Sequence, residues 1–238
     1  MHTWLPVPLY LVVLLANVAA NLCNIDPLEA ISKSLLMPTL IAYLILNSKT
    51  HHWRHWLFGA ALSFSTIGDI ALLYSSAIAF GIGMGAFLLA HVSYSATFSS
   101  IVYRLSYIAP RLGIPALLYG SIAVAAGGLA VQEIAQPWCT AIAVYAVAVA
   151  CMATLAGVLG VRGVVGGLLF AISDAMLASK KFLNPVWFPE APLTEGLIML
   201  SYGIAQLLLT QGFLKTMSDA EFNKQRGQKF IPLDVIKV

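Results

Sequence analysis

Charge is what this chain has least of. Only 10% of its residues are Asp, Glu, Lys or Arg, where ordinary soluble domains carry about 25%. With 60% hydrophobic residues and a mean hydropathy of +0.86, that scarcity excludes a freely soluble protein. The 238 residues leave no room for a separate soluble catalytic domain, so any chemistry falls to side chains inside a membrane bundle or at its mouths. Cysteine is scarce too. Cys23, Cys139 and Cys151 are odd in number and lack CxxC spacing, which argues against a disulfide framework or a zinc site and for small apolar packing residues. Met1-His2-Thr3-Trp4 lacks the basic segment of a cleaved leader, so the first apolar run reads as a retained helix. A net charge of +3 gives no basic field for nucleic acid.

What is present is a series of long apolar runs. An all-α, polytopic membrane bundle follows, with about eight transmembrane helices of about 20 residues each. The spans read as Leu5–Ala20, Ile31–Leu46, Trp56–Tyr74, Ile78–Ser99, Gly113–Val131, Trp138–Leu159, Gly163–Lys180 and Glu195–Lys215. Between the third and fourth, the turn falls either at Ser75-Ser76 or among Gly81, Gly83 and Gly85. Residues 1–216 form the membrane domain and 217–238 a polar tail. Trp4, Trp53, Trp56, Trp138 and Trp187 lie near span ends, as an interfacial aromatic belt requires.

Lys49, Arg54, Arg104, Arg111, Arg162, Lys215, Lys224, Arg226, Lys229 and Lys237 fall on one side of this topology, and only Lys33, Lys180 and Lys181 on the other. The positive-inside rule then places both termini in the cytoplasm.

Two aspartates interrupt the apolar runs in one local pattern, Ile67-Gly68-Asp69-x-x-Leu72 and Ile172-Ser173-Asp174-x-x-Leu177. A carboxylate within a bilayer is costly, so it normally faces a bundle interior or a wet cavity and marks a functional site. Both lie past the middle of parallel helices, toward the outer leaflet, which is compatible with two parallel four-helix halves around a central site. Two buried carboxyls sharing a site can hold one proton between them, giving an acid beside a base or an electrostatic stabiliser. The bland alternative is a pair of aspartates that only bond neighbouring helices.

His91 and Tyr94, one turn apart, share a face of the fourth span. The imidazole suits an acid, a hydrogen-bond donor or a helix-to-helix strut equally well. A metal is disfavoured, because His91 is the sole histidine inside a span; His51, His52 and His55 read as a solvated connection. Lys181 lies seven residues after Asp174 on about the same face, roughly 10 Å along the axis. Lys33 opens the second span on the same side. The lysines either hold an anionic headgroup or simply snorkel. Tyr202 and Gln206, one turn apart in the last span, bind a ligand's polar part or bridge helices.

Taken in order, Lys33, Met37-Pro38, Gly68-Asp69-x-x-Leu72, His91-x-x-Tyr94, Ser173-Asp174, Lys181-Phe182 and Tyr202-x-x-Ala205-Gln206 resemble the lysoplasmalogenase family of YhhN-type membrane proteins. The likeness runs from about Lys33 to about Gln206. Ser34 departs from the family's usual Lys-Pro in the second span. The resemblance implies hydrolysis of the vinyl-ether bond of a lysoplasmalogen, giving a fatty aldehyde and glycerophosphoethanolamine or glycerophosphocholine. It implies Asp69 and Asp174 as the catalytic pair, in either order of acid and cation stabiliser. Lys33, His91, Tyr94, Lys181, Tyr202 and Gln206 would bind substrate, with no metal or other cofactor. The partners would be the lysophospholipid and the surrounding lipids, with no nucleic acid, in a bacterial inner membrane or, in a eukaryote, the endoplasmic reticulum. On the residues alone, a small proton-coupled transporter using the aspartates as a relay is the rival reading.

Overall fold

A computed structural model describes residues 6–48, 52–102, 138–182 and 191–225. Among the described residues there are no strands, and seven α-helices form the bundle. They are α1 (Pro6–Cys23), α2 (Asp26–Asn47), α3 (Trp53–Ala71), α4 (Ala77–Ile101), α5 (Trp138–Leu155), α6 (Val161–Phe182) and α7 (Ala191–Gln225). A 3-10 turn, Ala156–Leu159, extends α5. The expected span at Gly113–Val131 lies outside the described residues, as do Trp4, Trp187, His51 and the tail beyond Gln225.

Among the described residues, six of the seven helices are long and apolar enough to cross a membrane, fewer than the eight spans expected, and the chain is a multi-pass membrane protein. The helix that falls short is α3, with 19 residues. Arg54 near its start, with His55, Ser65 and Asp69 on its inward face, lowers its hydropathy. It starts three residues earlier than hydropathy suggests, at Trp53. That brings His55 into the helix, where it is buried and edge-on to Phe213, with ring centroids 5.2 Å apart. His55 therefore belongs to the core rather than to a solvated connection. Trp53 and Trp56, by contrast, stay exposed at the start of α3.

Local chemistry sets the helix ends. Asn24 takes a positive φ of 54° between α1 and α2, and Pro27 sits in the first turn of α2, where its missing N–H costs nothing. The turn between α3 and α4 falls at the serines: the Ser76 hydroxyl caps α4 by accepting from the Ala79 N–H at 3.1 Å. The glycines Gly81, Gly83 and Gly85 lie inside α4. Gly160, with φ 74°, reverses the chain from the 3-10 turn into α6. Pro38 lies well inside α2.

Helices pack in neighbouring pairs, α1 on α2, α3 on α4 and α6 on α7, with α7 also against α1. Small residues allow the closest approaches, as in membrane bundles generally. Gly167 rests on the backbone of Ala153 in α5, and Gly166 on Leu209 and the Ala205 carbonyl in α7. The Tyr10 hydroxyl donates to the Gly203 carbonyl at 2.7 Å, tying α1 to α7. Outward leucines, isoleucines and valines such as Leu15, Ile31, Ile78 and Val161 are largely exposed, the side that lipid covers. Inside, Phe58 stacks on Phe213 at 4.4 Å and meets Tyr94 edge-on at 5.0 Å.

Candidate active site

Phe58 and its neighbours form an aromatic floor, and above it polar groups from five helices, α3 to α7, meet in two clusters. Tyr202 of α7 donates its hydroxyl to Asp69 Oδ2 at 2.9 Å. Asp174 of α6 is bonded through its own Oδ2, by the Tyr145 hydroxyl of α5 at 3.0 Å and by His91 Nε2 of α4 at 3.1 Å. His91 Nε2 and the Tyr145 oxygen are themselves 3.1 Å apart. An imidazole protonated on Nε2 donates to Oδ2 alongside the Tyr145 hydroxyl.

The bonding is reciprocal. The helix that follows Asp69 supplies the bond to Asp174, and the helix that follows Asp174 supplies the bond to Asp69. Between the clusters stand aromatic rings. Phe170 is edge-on to both His91, at 4.9 Å, and Tyr202, at 5.4 Å. Phe87 is edge-on to Tyr202 at 5.9 Å.

The small residue before each aspartate has a visible reason. A Cβ on Gly68 would fall 2.6 Å from the Phe87 ring, so glycine lets that ring close over α3. Ser173 instead donates to the Ile198 carbonyl of α7 at 3.1 Å. The leucines that end the two motifs converge: Leu72 and Leu177 line one cavity of about 40 Å³, room for a few waters. Its other walls are Phe80, Met84, Phe87, Ile142, Ala178 and Phe182, and its polar groups are Asp174 and Tyr145. Asp69 lies one turn from Leu72 but is 2% exposed, shut in beneath Tyr202.

The other expected residues divide between the clusters. Lys181 places its ammonium 5.1 Å over the Phe80 ring at the cavity edge. Lys33 is 4.0 Å from Glu29, one turn earlier in α2. Lys180 pairs with Glu195. Tyr94 donates to Gln206 Oε1 at 2.6 Å, and the Gln206 amide donates to Ser65 at 3.1 Å. Tyr94 and Gln206 thus bridge α4, α7 and α3 under the site. Among the described residues, no three His, Cys, Asp or Glu side chains gather as a metal would need.

Sequence reasoning missed Tyr145. Its signal was the one applied to His91: a single large polar group midway along an otherwise Ala- and Val-rich span. Phe87 and Phe170 gave no signal, since an aromatic partition reads as ordinary core.

No curated protein and no solved structure matches the chain. The model of the YhhN family matches residues 28–213, a stretch that takes in every group of both clusters. The chain belongs to the YhhN family, which includes the lysoplasmalogenases.

Proposed function

We propose that this protein is a lysoplasmalogenase, which hydrolyses the vinyl ether of a lysoplasmalogen to a long-chain aldehyde and glycerophosphoethanolamine or glycerophosphocholine. The observation that carries the reading is the setting of Asp174. Its carboxyl opens on an apolar cavity, and among the described residues both of its hydrogen-bond partners, Tyr145 and His91, fall on Oδ2. Oδ1 is left to act on a ligand.

Vinyl-ether hydrolysis needs a positioned acid and negative charge beside a developing cation, and both can come from this group. Asp174, in its acid form, gives its proton to the alkenyl carbon remote from the ether oxygen. The π electrons form the new C–H bond and leave an oxocarbenium ion. The Tyr145 hydroxyl and the His91 N–H stabilise the carboxylate so formed, which makes proton donation easier. The new anion lies beside the cation, where a fixed charge in a dry site counts most. Water adds to the cationic carbon and returns a proton to Asp174. The hemiacetal then collapses to aldehyde and alcohol, with one water consumed and the acid restored. A positioned acid of this kind contributes roughly 10²- to 10⁴-fold.

In this scheme Asp69 is the second negative charge, acting across Phe87 and Phe170. Lys181, at the cavity edge, takes the phosphate. The partners are the lysophospholipid and bulk lipid.

The test is aldehyde release by purified protein from 1-alkenyl lysophosphatidylethanolamine, beside the saturated ether and the ester. Only the alkenyl substrate should react, and oxygen-18 water should label the aldehyde before carbonyl exchange. Asp174→Asn should lower kcat by roughly 10²- to 10⁴-fold, and Asp69→Asn by less, both in folded protein. Full activity of Asp174→Asn would remove the proposed acid. Proton-linked flux in liposomes with no lipid cleaved would favour the transporter reading instead.

A further inference from the structure

Resting on that reading, we infer that Tyr145 is the positioning residue of the acid: it pins Oδ2 of Asp174 so that Oδ1 serves the reacting carbon. Three observations carry this. The first is that the cavity has two polar side chains in its wall, Asp174 and Tyr145, and they are joined by a 3.0 Å hydrogen bond. Among the described residues the rest of the wall is hydrocarbon, so no other described wall group can fix the rotation of the carboxyl group.

The second is geometric. His91 also reaches Oδ2, but it is fully buried and stands outside the cavity wall. A carboxyl held by one donor still swings about that bond. Two donors from different helices, α4 and α5, converge on one oxygen and fix the plane of the group. The third is that Tyr145 is itself braced. Its ring stands edge-on to His91 at 5.2 Å and at 80°, so hydroxyl and imidazole hold each other as well as the carboxylate.

The consequence is a division of labour at one atom. Oδ2 receives the structural bonds, and Oδ1 performs proton transfer. Without the Tyr145 hydroxyl, Asp174 keeps one donor, gains rotational freedom, and loses part of the stabilisation of the carboxylate it becomes. Substrate binding, which depends on the hydrocarbon wall and Lys181, is unaffected.

Tyr145→Phe retains the ring and removes only the hydroxyl. It should lower kcat by about 10- to 100-fold, the scale of one donor to a developing anion, with KM for 1-alkenyl lysophosphatidylethanolamine unchanged. Turnover in deuterium oxide should show a larger isotope effect than wild type, because proton transfer becomes more fully rate-limiting. A merely structural tyrosine would lower the unfolding midpoint and leave that isotope effect alone. Wild-type kcat in Tyr145→Phe overturns the inference, as does a raised KM with kcat retained. A variant that fails to fold in detergent, judged by its unfolding transition and its binding of the saturated ether, assigns Tyr145 to packing and also overturns it. Wild-type protein runs in the same assay: no aldehyde from wild type refutes the enzyme reading itself, while aldehyde from wild type with an unaffected Tyr145→Phe refutes only the role of Tyr145.

Discussion

Adding one methyl group at Gly167 should disable the site from two helical turns away. Gly167 of α6 faces Ala153 of α5, and a Cβ placed on it would lie 2.9 Å from both the Cα and the carbonyl oxygen of Ala153. Ordinary contact begins at 3.4 Å, and both obstructing atoms are backbone, so no side chain can swing clear. The helices must part by about 0.5 Å in a close-packed seam. The same two helices carry Tyr145 and Asp174, seven residues or about 10 Å further along α6. Their hydrogen bond is 3.0 Å long, and a further half ångström takes it to about 3.5 Å, where such bonds fail. Stability should change less than activity. Alanine gains about 0.5–1 kcal/mol over glycine in a helix, set against about 1–3 kcal/mol for overpacking. Since a 1 Å misplacement can cost about 10²-fold, a tenfold or greater loss of kcat is expected from Gly167→Ala. The assay is aldehyde release beside thermal unfolding in detergent. Gly85→Ala is the control, because no described atom lies within 4 Å of its added Cβ; it should leave kcat unchanged. Wild-type turnover in Gly167→Ala would refute the idea that the α5–α6 spacing sets the geometry of Asp174.

Tyr94→Phe should cost about 1–3 kcal/mol, because it strips the donor from a fully buried Gln206 Oε1; an unchanged unfolding midpoint would show that this bond does not hold α4 to α7. Lys181→Ala should raise KM about tenfold with kcat retained, as expected for one charge-assisted contact to phosphate, and a fall in kcat at constant KM would place Lys181 in the chemistry instead.

How much of this was legible in the sequence follows the kind of signal each residue sends. A charged or polar group in an apolar run announces itself, and Asp69, Asp174, His91 and Tyr202 all proved to lie in the two clusters. Hydropathy likewise marked every helix described, α3 included, but set the start of α3 at Trp56 rather than Trp53, because Arg54 and His55 dilute the apolar signal there. Partnership was not legible. His91 and Tyr94 share one helix face, yet one bonds Asp174 and the other Gln206. Lys33 lies by Glu29 and Lys181 over the Phe80 ring. Spacing within a helix fixes direction, while the choice of partner depends on how helices cross, and that is decided by glycines such as Gly166 and Gly167 whose contacts a sequence does not display.

The two aspartate motifs show how a repeated pattern can yield unequal sites. Both end in a leucine, and Leu72 and Leu177 meet in the wall of one cavity, so the motifs do converge. The residue before each aspartate separates their roles. Gly68 admits the Phe87 ring, which closes over α3 and leans on Tyr202, so Asp69 is sealed in with a single tyrosine donor. Ser173 bonds α7 instead, and Asp174 keeps its opening to the cavity with 12% of its side chain exposed. A proton relay would require the carboxyls to exchange protons through polar groups, and the rings of Phe87 and Phe170 stand where such groups would be needed. A charge effect requires no such path, because the low-dielectric partition lets one carboxylate influence a cation beside the other. The aromatic wall thus favours a site in which one aspartate reacts and the other acts through its field.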